Sequence, residues 1–153
     1  ENNHVFVTRT FSKLFSLAGC RLGYAVGKAD GIALIQKLCT PHNINAFGMA
    51  FAGAILDTPR MLQDLIEVQL EGKKYLIDTL CELGYEVNAK EGNFIFVKPK
   101  TDADRLVARM KTEKRILLKS YKGIGSLGNC LRISTGPKEI MERFIDAIKE
   151  IDK

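Results

Sequence analysis

The chain has 153 residues, 46% of them hydrophobic and 27% charged, with a formal net charge of +5. That balance belongs to a soluble globular protein with enough chain to bury a core. No apolar run approaches the roughly 20 residues of a membrane span. Basic and acidic residues are interspersed, as in Glu71-Gly72-Lys73-Lys74 and Lys111-Thr112-Glu113-Lys114-Arg115. This is not the aromatic-interleaved stripe of a nucleic-acid face, and a mild positive excess suits anionic small molecules instead. Cys20, Cys39, Cys81 and Cys130 show neither C-x-x-C spacing nor paired histidines, which favours neither zinc nor a disulfide framework. Each lies among apolar neighbours and is expected to act as a small hydrophobe, in a reducing, cytoplasmic setting. There is no basic-then-apolar leader, and the start at Glu1, almost on top of a strand, reads as a piece excised from something longer.

In chain order, residues 4–8 and 21–27 read as short strands with apolar content on both faces, as in strands covered by helices on two sides. The stretch Thr8 to Tyr24 spans them and holds a hydroxyl-rich turn with one lysine, Lys13, and an arginine eight residues on, Arg21. A loop set by rigid flanks is where chemistry tends to sit. Phe11, Leu14, Phe15 and Leu17 surround Lys13 in sequence, and an amine they withdraw from water loses proton affinity. A neutral amine is what a Schiff-base lysine needs. Thr10, Ser12 and Arg21 offer two hydroxyls and a planar fork suited to a phosphate. Chemistry alone leaves the plain alternative standing, a solvated lysine in a Ser/Thr turn.

A short helix is expected over 31–39, with Ile32, Leu34, Ile35 and Leu38 on its buried side, ended by Thr40-Pro41. The turn Pro41-His42-Asn43-Ile44-Asn45 follows, and Asn45 caps a helix over 46–56 rich in Ala and Gly. Asp57-Thr58-Pro59 opens the longest helical pattern, to Leu83, with Gly84 in the C′ position. The last third is an α+β unit with strands at 85–88, 93–98, 116–119 and 130–134. Asp102 caps a helix to Lys114, Gly123 to Gly128 form a loop, and Pro137 opens a final helix. Its stripe is Ile140, Met141, Phe144, Ile145, Ile148 and Ile151. Alternation sets Arg132 on the face opposite Leu131 and Ile133. There it can fork a carboxylate, or be an ordinary exposed strand arginine.

The spaced run Thr10-x-Ser12-Lys13-x-Phe15-x-Leu17-Ala18-Gly19-x-Arg21-x-Gly23-Tyr24 resembles the lysine motif of class I/II aminotransferases. These are fold-type I, α/β pyridoxal-phosphate enzymes, and the similarity is strongest to histidinol-phosphate aminotransferases. The resemblance extends to the Pro-x-Asn-x-Asn turn, where His42 replaces a frequent aromatic residue, and to Leu131-Arg132-Ile133-Ser134-x-Gly136. It implies Lys13 as the catalytic, cofactor-attaching lysine and Thr10, Ser12 and Arg21 as holders of the phosphate of pyridoxal 5'-phosphate. It implies Arg132 as the anchor for the substrate carboxylate. Thirteen residues before it, Lys119 stands where these enzymes usually carry a second arginine for a substrate phosphate. A lysine there keeps the charge without the fork. Asn93-Phe94 also resembles a family motif and is assigned only packing.

The resemblance further implies three parts: residues 1–58 from the large cofactor domain, a linking helix over 59–84, and a small domain over 85–153. It implies a homodimeric transaminase of amino-acid biosynthesis, moving an amino group between an amino acid or amino phosphate and a 2-oxo acid. The family's aspartate at the pyridine nitrogen, its ring-stacking aromatic residue and its cofactor-contacting asparagine lie upstream of the lysine strand and outside these 153 residues. The chain alone is therefore expected to be nearly silent. A decarboxylase of a phosphorylated amino acid shares the family fold and is the near alternative. A non-catalytic basic α+β binding module is the distant one.

Overall fold

The structure is a computed structural model that describes residues 4–123 and 128–153. It divides into two compact units, residues 1–66 and 67–153, with the division inside one continuous helix.

In the first unit β1 (Val7–Thr10) and β2 (Gly23–Val26) form an antiparallel two-stranded ribbon, in register from Val7 opposite Val26 to Thr10 opposite Gly23. Side-chain burial does not follow the expectation of strands covered on two faces. All of β1 is exposed, and in β2 only Ala25 is half-buried. The helix α1 (Ala29–Gln36) starts two residues early and buries nothing. Leu34, Ile35 and Leu38, expected on an inner face, are exposed, Leu38 at 87%. The helix α2 (Ala46–Leu56) begins where expected, with the Asn45 carboxamide oxygen accepting from the Gly48 amide at 2.6 Å. Its buried residues are Gly48, Ala52 and Ile55, while Phe47 is 74% exposed.

The helix α3 (Pro59–Glu82) crosses from one unit to the other. Gly84, at φ +78°, terminates it, with the Gly84 and Tyr85 amides returning to the carbonyls of Cys81 and Leu80, the left-handed stop that glycine permits. Met61, Val68 and Leu70 of the expected apolar face are exposed, whereas Leu76 and Leu80 are fully buried.

The second unit carries one antiparallel sheet in the order β3-β4-β6-β5, made of β3 (Glu86–Ala89), β4 (Phe94–Lys98), β5 (Lys119–Tyr121) and β6 (Cys130–Ser134). One face packs on α3, on α4 (Ala103–Lys114) and on α5 (Lys138–Ile151). Ile95, Val97, Leu106, Met110, Leu131, Ile145 and Ile148 form the dry centre. Each such side chain contributes about 1.5–3 kcal/mol on burial. Asp102 caps α4 by accepting from the Arg105 amide at 3.0 Å. The strand expected at 116–119 begins only at Lys119. Arg115 takes a left-handed conformation, the Ile116 amide returns to the Met110 carbonyl, and Leu117 is 79% exposed. Ile140, expected in the α5 stripe, is likewise exposed. Of the four cysteines, all free thiols, Cys39 and Cys81 are exposed. Cys130 alone is fully buried, and burial raises its thiol pKa. The loop expected at Gly123 to Gly128 lies mostly outside the described residues.

Candidate functional site

The β1–β2 hairpin carries Thr10, Ser12, Lys13 and Arg21 on one loop. The Phe11 amide donates to the Leu22 carbonyl at 3.1 Å and extends the ladder past Thr10. Gly23 is required where the strands close, since a Cβ there would sit 2.7 Å from the Arg9 carbonyl oxygen. Inside the loop the Ser16 amide reaches the Lys13 carbonyl at 2.9 Å and the Leu17 amide reaches the Phe11 carbonyl at 3.1 Å. The Thr10 hydroxyl accepts from the Ser12 amide at 3.1 Å. Ser16 and Arg21 both hold positive φ, 55° and 53°. Non-glycine residues there cost on the order of 1 kcal/mol or more and cluster at functional loops.

Two features differ from what the residue types suggested. Lys13 is exposed, because its apolar neighbours turn elsewhere. Phe11 forms a small core with Leu22 and Ala52, against which Phe15, Leu17 and Cys20 pack. Phe11 and Phe15 stack with centroids 5.1 Å apart. The hydrophobes fix the loop and leave the amine in solvent. The guanidinium of Arg21, also exposed, donates to the Ala18 carbonyl at 3.2 Å. That bond uses one of five N–H donors.

Asn45 was legible in the sequence only as a cap. Its amide nitrogen also donates to the Cys20 carbonyl at 3.0 Å, so one side chain fastens the start of α2 to the peptide that precedes Arg21. His42, in the same turn, is exposed.

The second unit carries a basic pair. Arg132 and Lys119 are direct cross-strand partners on the sheet face opposite the core. Leu131 and Ile133 are buried and Arg132 is half-buried, the alternation read from the sequence. Phe94, Phe96 and Tyr121 run across the same face, with edge-to-face rings 5.5 and 5.8 Å apart. The guanidinium of Arg132 lies 5.2 Å from the Phe94 ring and the ammonium of Lys119 lies 5.1 Å from that of Tyr121. On the other side of β5, Lys122 bridges Asp102 and Asp104 at 2.6 and 2.9 Å, and the Ser120 hydroxyl donates to Asp104 at 2.5 Å. These contacts tie β5 to the start of α4. The Lys122 ammonium holds the Asp102 carboxyl below its ordinary range, and the Ser120 hydroxyl, with Lys122 second, does so for Asp104.

The aminotransferase class I and II family matches residues 1–148, and the chain belongs to that family. Among curated relatives, the histidinol-phosphate aminotransferase of Citrifermentans bemidjiense is 33% identical over 149 residues, which is 97% of this chain and 42% of that protein. Among solved structures, histidinol-phosphate aminotransferase from Sinorhizobium meliloti, in complex with pyridoxal-5'-phosphate, superposes with a TM-score of 0.84 at 25% identity. The match covers 99% of this chain and 42% of that one. A decarboxylase from Sulfurospirillum multivorans reaches a TM-score of 0.85 at 22% identity over 99% of this chain and 40% of that one, a likeness of fold alone. The chain thus spans about 42% of the length of the curated relative described. Among the described residues no helix is long and apolar enough to cross a membrane.

Proposed function

We propose that these residues are the C-terminal part of a pyridoxal-phosphate-dependent transaminase of the histidinol-phosphate aminotransferase type, cytoplasmic and homodimeric. The whole protein would pass an amino group between an amino acid or amino phosphate and a 2-oxo acid. Residues 1–58 would belong to its large domain, 59–84 to a linking helix and 85–153 to its small domain. The observation that carries the reading is the hairpin loop, where the Lys13 amine, the Thr10 and Ser12 hydroxyls and the Arg21 guanidinium are grouped within twelve residues, on a backbone held in two left-handed non-glycine turns.

The chemistry of that donor set fits the cofactor. Thr10, Ser12 and Arg21 can together satisfy a phosphate dianion, and Lys13 is an accessible primary amine beside them. Pyridoxal phosphate, when bound, supplies an aldehyde and an electron sink for bond cleavage at the substrate Cα. The protein's part is to bind and to move a proton. Arg21 would hold the phosphate through its planar guanidinium fork. The Lys13 Nζ is the group of this loop able to take a proton from a substrate Cα and return it at another carbon, once it is neutral. In this chain the Lys13 side chain is exposed; other parts of the whole protein would supply its cover. Arg132 would fork a carboxylate, and Lys119 would attract a second anionic group as a point charge.

The test is to add pyridoxal phosphate to the whole protein, reduce with borohydride and map the modified peptide. The label is expected on Lys13 and absent in Lys13→Ala. A label on another lysine, or none, overturns the reading. Measuring amino transfer to a 2-oxo acid against CO₂ release then separates transaminase from decarboxylase.

A further inference from the structure

We propose that Phe94 is a positioning residue for Arg132, its ring a shelf that orients the guanidinium toward an incoming carboxylate. The inference rests on the reading of Arg132 as a substrate anchor.

Like charges directly opposite one another on a sheet repel, and Lys119 and Arg132 are such a pair. Among the described residues, no salt bridge includes either of them. Their partners are rings instead. Phe94, Phe96 and Tyr121 form a row, and the two cations lie over its two ends, Arg132 at Phe94 and Lys119 at Tyr121. The rings draw the charges apart and keep them on the open face of the sheet, where an anion can reach both. A cation over a ring face is attracted by the ring quadrupole, most strongly for a weakly hydrated guanidinium.

The register explains why Phe94 takes this part. Phe96 stands directly opposite Arg132, and Phe94 is opposite Ser134, two residues along. Phe94 is therefore the diagonal neighbour, within reach of a long side chain. It is also 36% exposed, while Ile95 and Val97 on the same strand are at 0%, so its ring lies outside the core, with one edge contact to Phe96 and the Arg132 guanidinium over it.

The shelf itself is fixed. The Asn93 carbonyl accepts from the Thr135 amide at 2.9 Å. The Lys73 ammonium, reaching from α3, donates to the Lys90 carbonyl and, at 2.9 Å, to the Gly92 carbonyl. The turn leading into Phe94 is thus tied to the residue that follows the strand bearing Arg132 and to α3. Holding the guanidinium in one orientation removes part of the ordering cost a carboxylate ligand would otherwise meet.

The experiment uses the whole protein loaded with cofactor. Phe94→Leu removes the quadrupole and keeps an apolar side chain. We expect the Kd of succinate, measured by calorimetry, and the KM for the best donor in a panel of amino acids to rise by about three- to tenfold. The kcat should stay within about twofold, since uniform binding moves KM alone, and Tm should be unchanged. Phe94→Tyr should restore both constants. Unchanged Kd and KM in Phe94→Leu, or a loss that tracks a fall in Tm and is not restored by tyrosine, overturns the proposal. Arg132→Ala separates the two ideas. If it leaves Kd and KM unaltered, or if no amino acid turns over in the unsubstituted protein, the anchor reading itself falls. If it raises them while Phe94→Leu does not, only the role of Phe94 falls.

Discussion

Asp152 is buried to 2% exposure one residue from the end of the chain, and its carboxylate organises the segment that precedes α4. One oxygen accepts from the Lys100 amide at 3.0 Å, and the other accepts from the Thr101 amide at 3.0 Å and the Thr101 hydroxyl at 2.6 Å. Its backbone carbonyl also accepts from the Tyr85 hydroxyl at 3.3 Å. Asp152→Ala would leave two amides and a hydroxyl without their acceptor. An unsatisfied buried donor costs about 1–3 kcal/mol. Since these donors are only part-buried, the low end applies to each, giving a loss of about 3 kcal/mol. Asp152→Asn keeps one acceptor oxygen but turns an NH₂ toward a donor, so it should lose about 1–2 kcal/mol. The two units need not unfold together, so the measurement must report on the second. Three of the four tyrosines lie there and the chain has no tryptophan, which makes tyrosine fluorescence in urea a suitable probe. Amide exchange at Lys100 and Thr101 gives the local readout and should quicken in Asp152→Ala. A loss below about 1 kcal/mol with unchanged exchange would refute the argument, because it would mean water replaces the carboxylate at no cost.

Three further outcomes follow from the packing. Burial, with the Asp152 charge and hydrogen bond adding to it, raises the Tyr85 phenol above its ordinary value of 10.0. The folded state then keeps a proton that the unfolded state releases, so this stability is intact below about pH 10 and falls as pH rises beyond it; Tyr85→Phe should flatten that alkaline slope in urea titrations. Gly72→Ala would place a Cβ 2.0 Å from the Gly136 carbonyl oxygen and 2.9 Å from the Lys138 amide, so it should cost about 1–3 kcal/mol by thermal unfolding, against a gain for Gly53→Ala, where nothing lies within 4 Å. Asn45→Ala removes both the α2 cap and the hold on Cys20 and should cost about 1–2 kcal/mol of first-unit stability in urea, with Asn45→Asp keeping the capping share.

Local rules carried far in this sequence. Asn45, Asp102 and Gly84 each end or begin a helix where the residue type says it should, because a cap is settled by one side chain and the nearest few amides. The placement of Arg132 against Leu131 and Ile133 was equally legible, since alternation in a strand is a property of the backbone. What periodicity could not show was where burial comes from. Leu34, Leu38, Phe47 and Leu70 look like core residues and are exposed, because an apolar stripe states a capacity to be covered and not the presence of a cover. The late start of β5 has a similar origin. Ile116 and Leu117 have strand propensity, yet after the left-handed turn at Arg115 the Ile116 amide bonds back to the helix and the ladder starts only at Lys119.

The candidate site divides along the same line. Residue types gave the groups themselves: the Lys13 amine, the Thr10 and Ser12 hydroxyls and the Arg21 guanidinium about a loop between strands, and Arg132 on a sheet face. They did not announce the environment, and for Lys13 they suggested the wrong one. A hydrophobe beside a lysine in sequence shields it only if the loop folds the two together. In this loop Phe11, Phe15 and Leu17 are drawn instead toward Leu22 and Ala52. Such an arrangement separates two requirements that a single shielding cluster would have joined. The loop's shape is secured by its own small core and by Asn45, so the backbone that presents Thr10, Ser12 and Arg21 does not depend on the state of the amine. Cover for the exposed Lys13 side chain is then a separate matter from the shape of the loop that carries it.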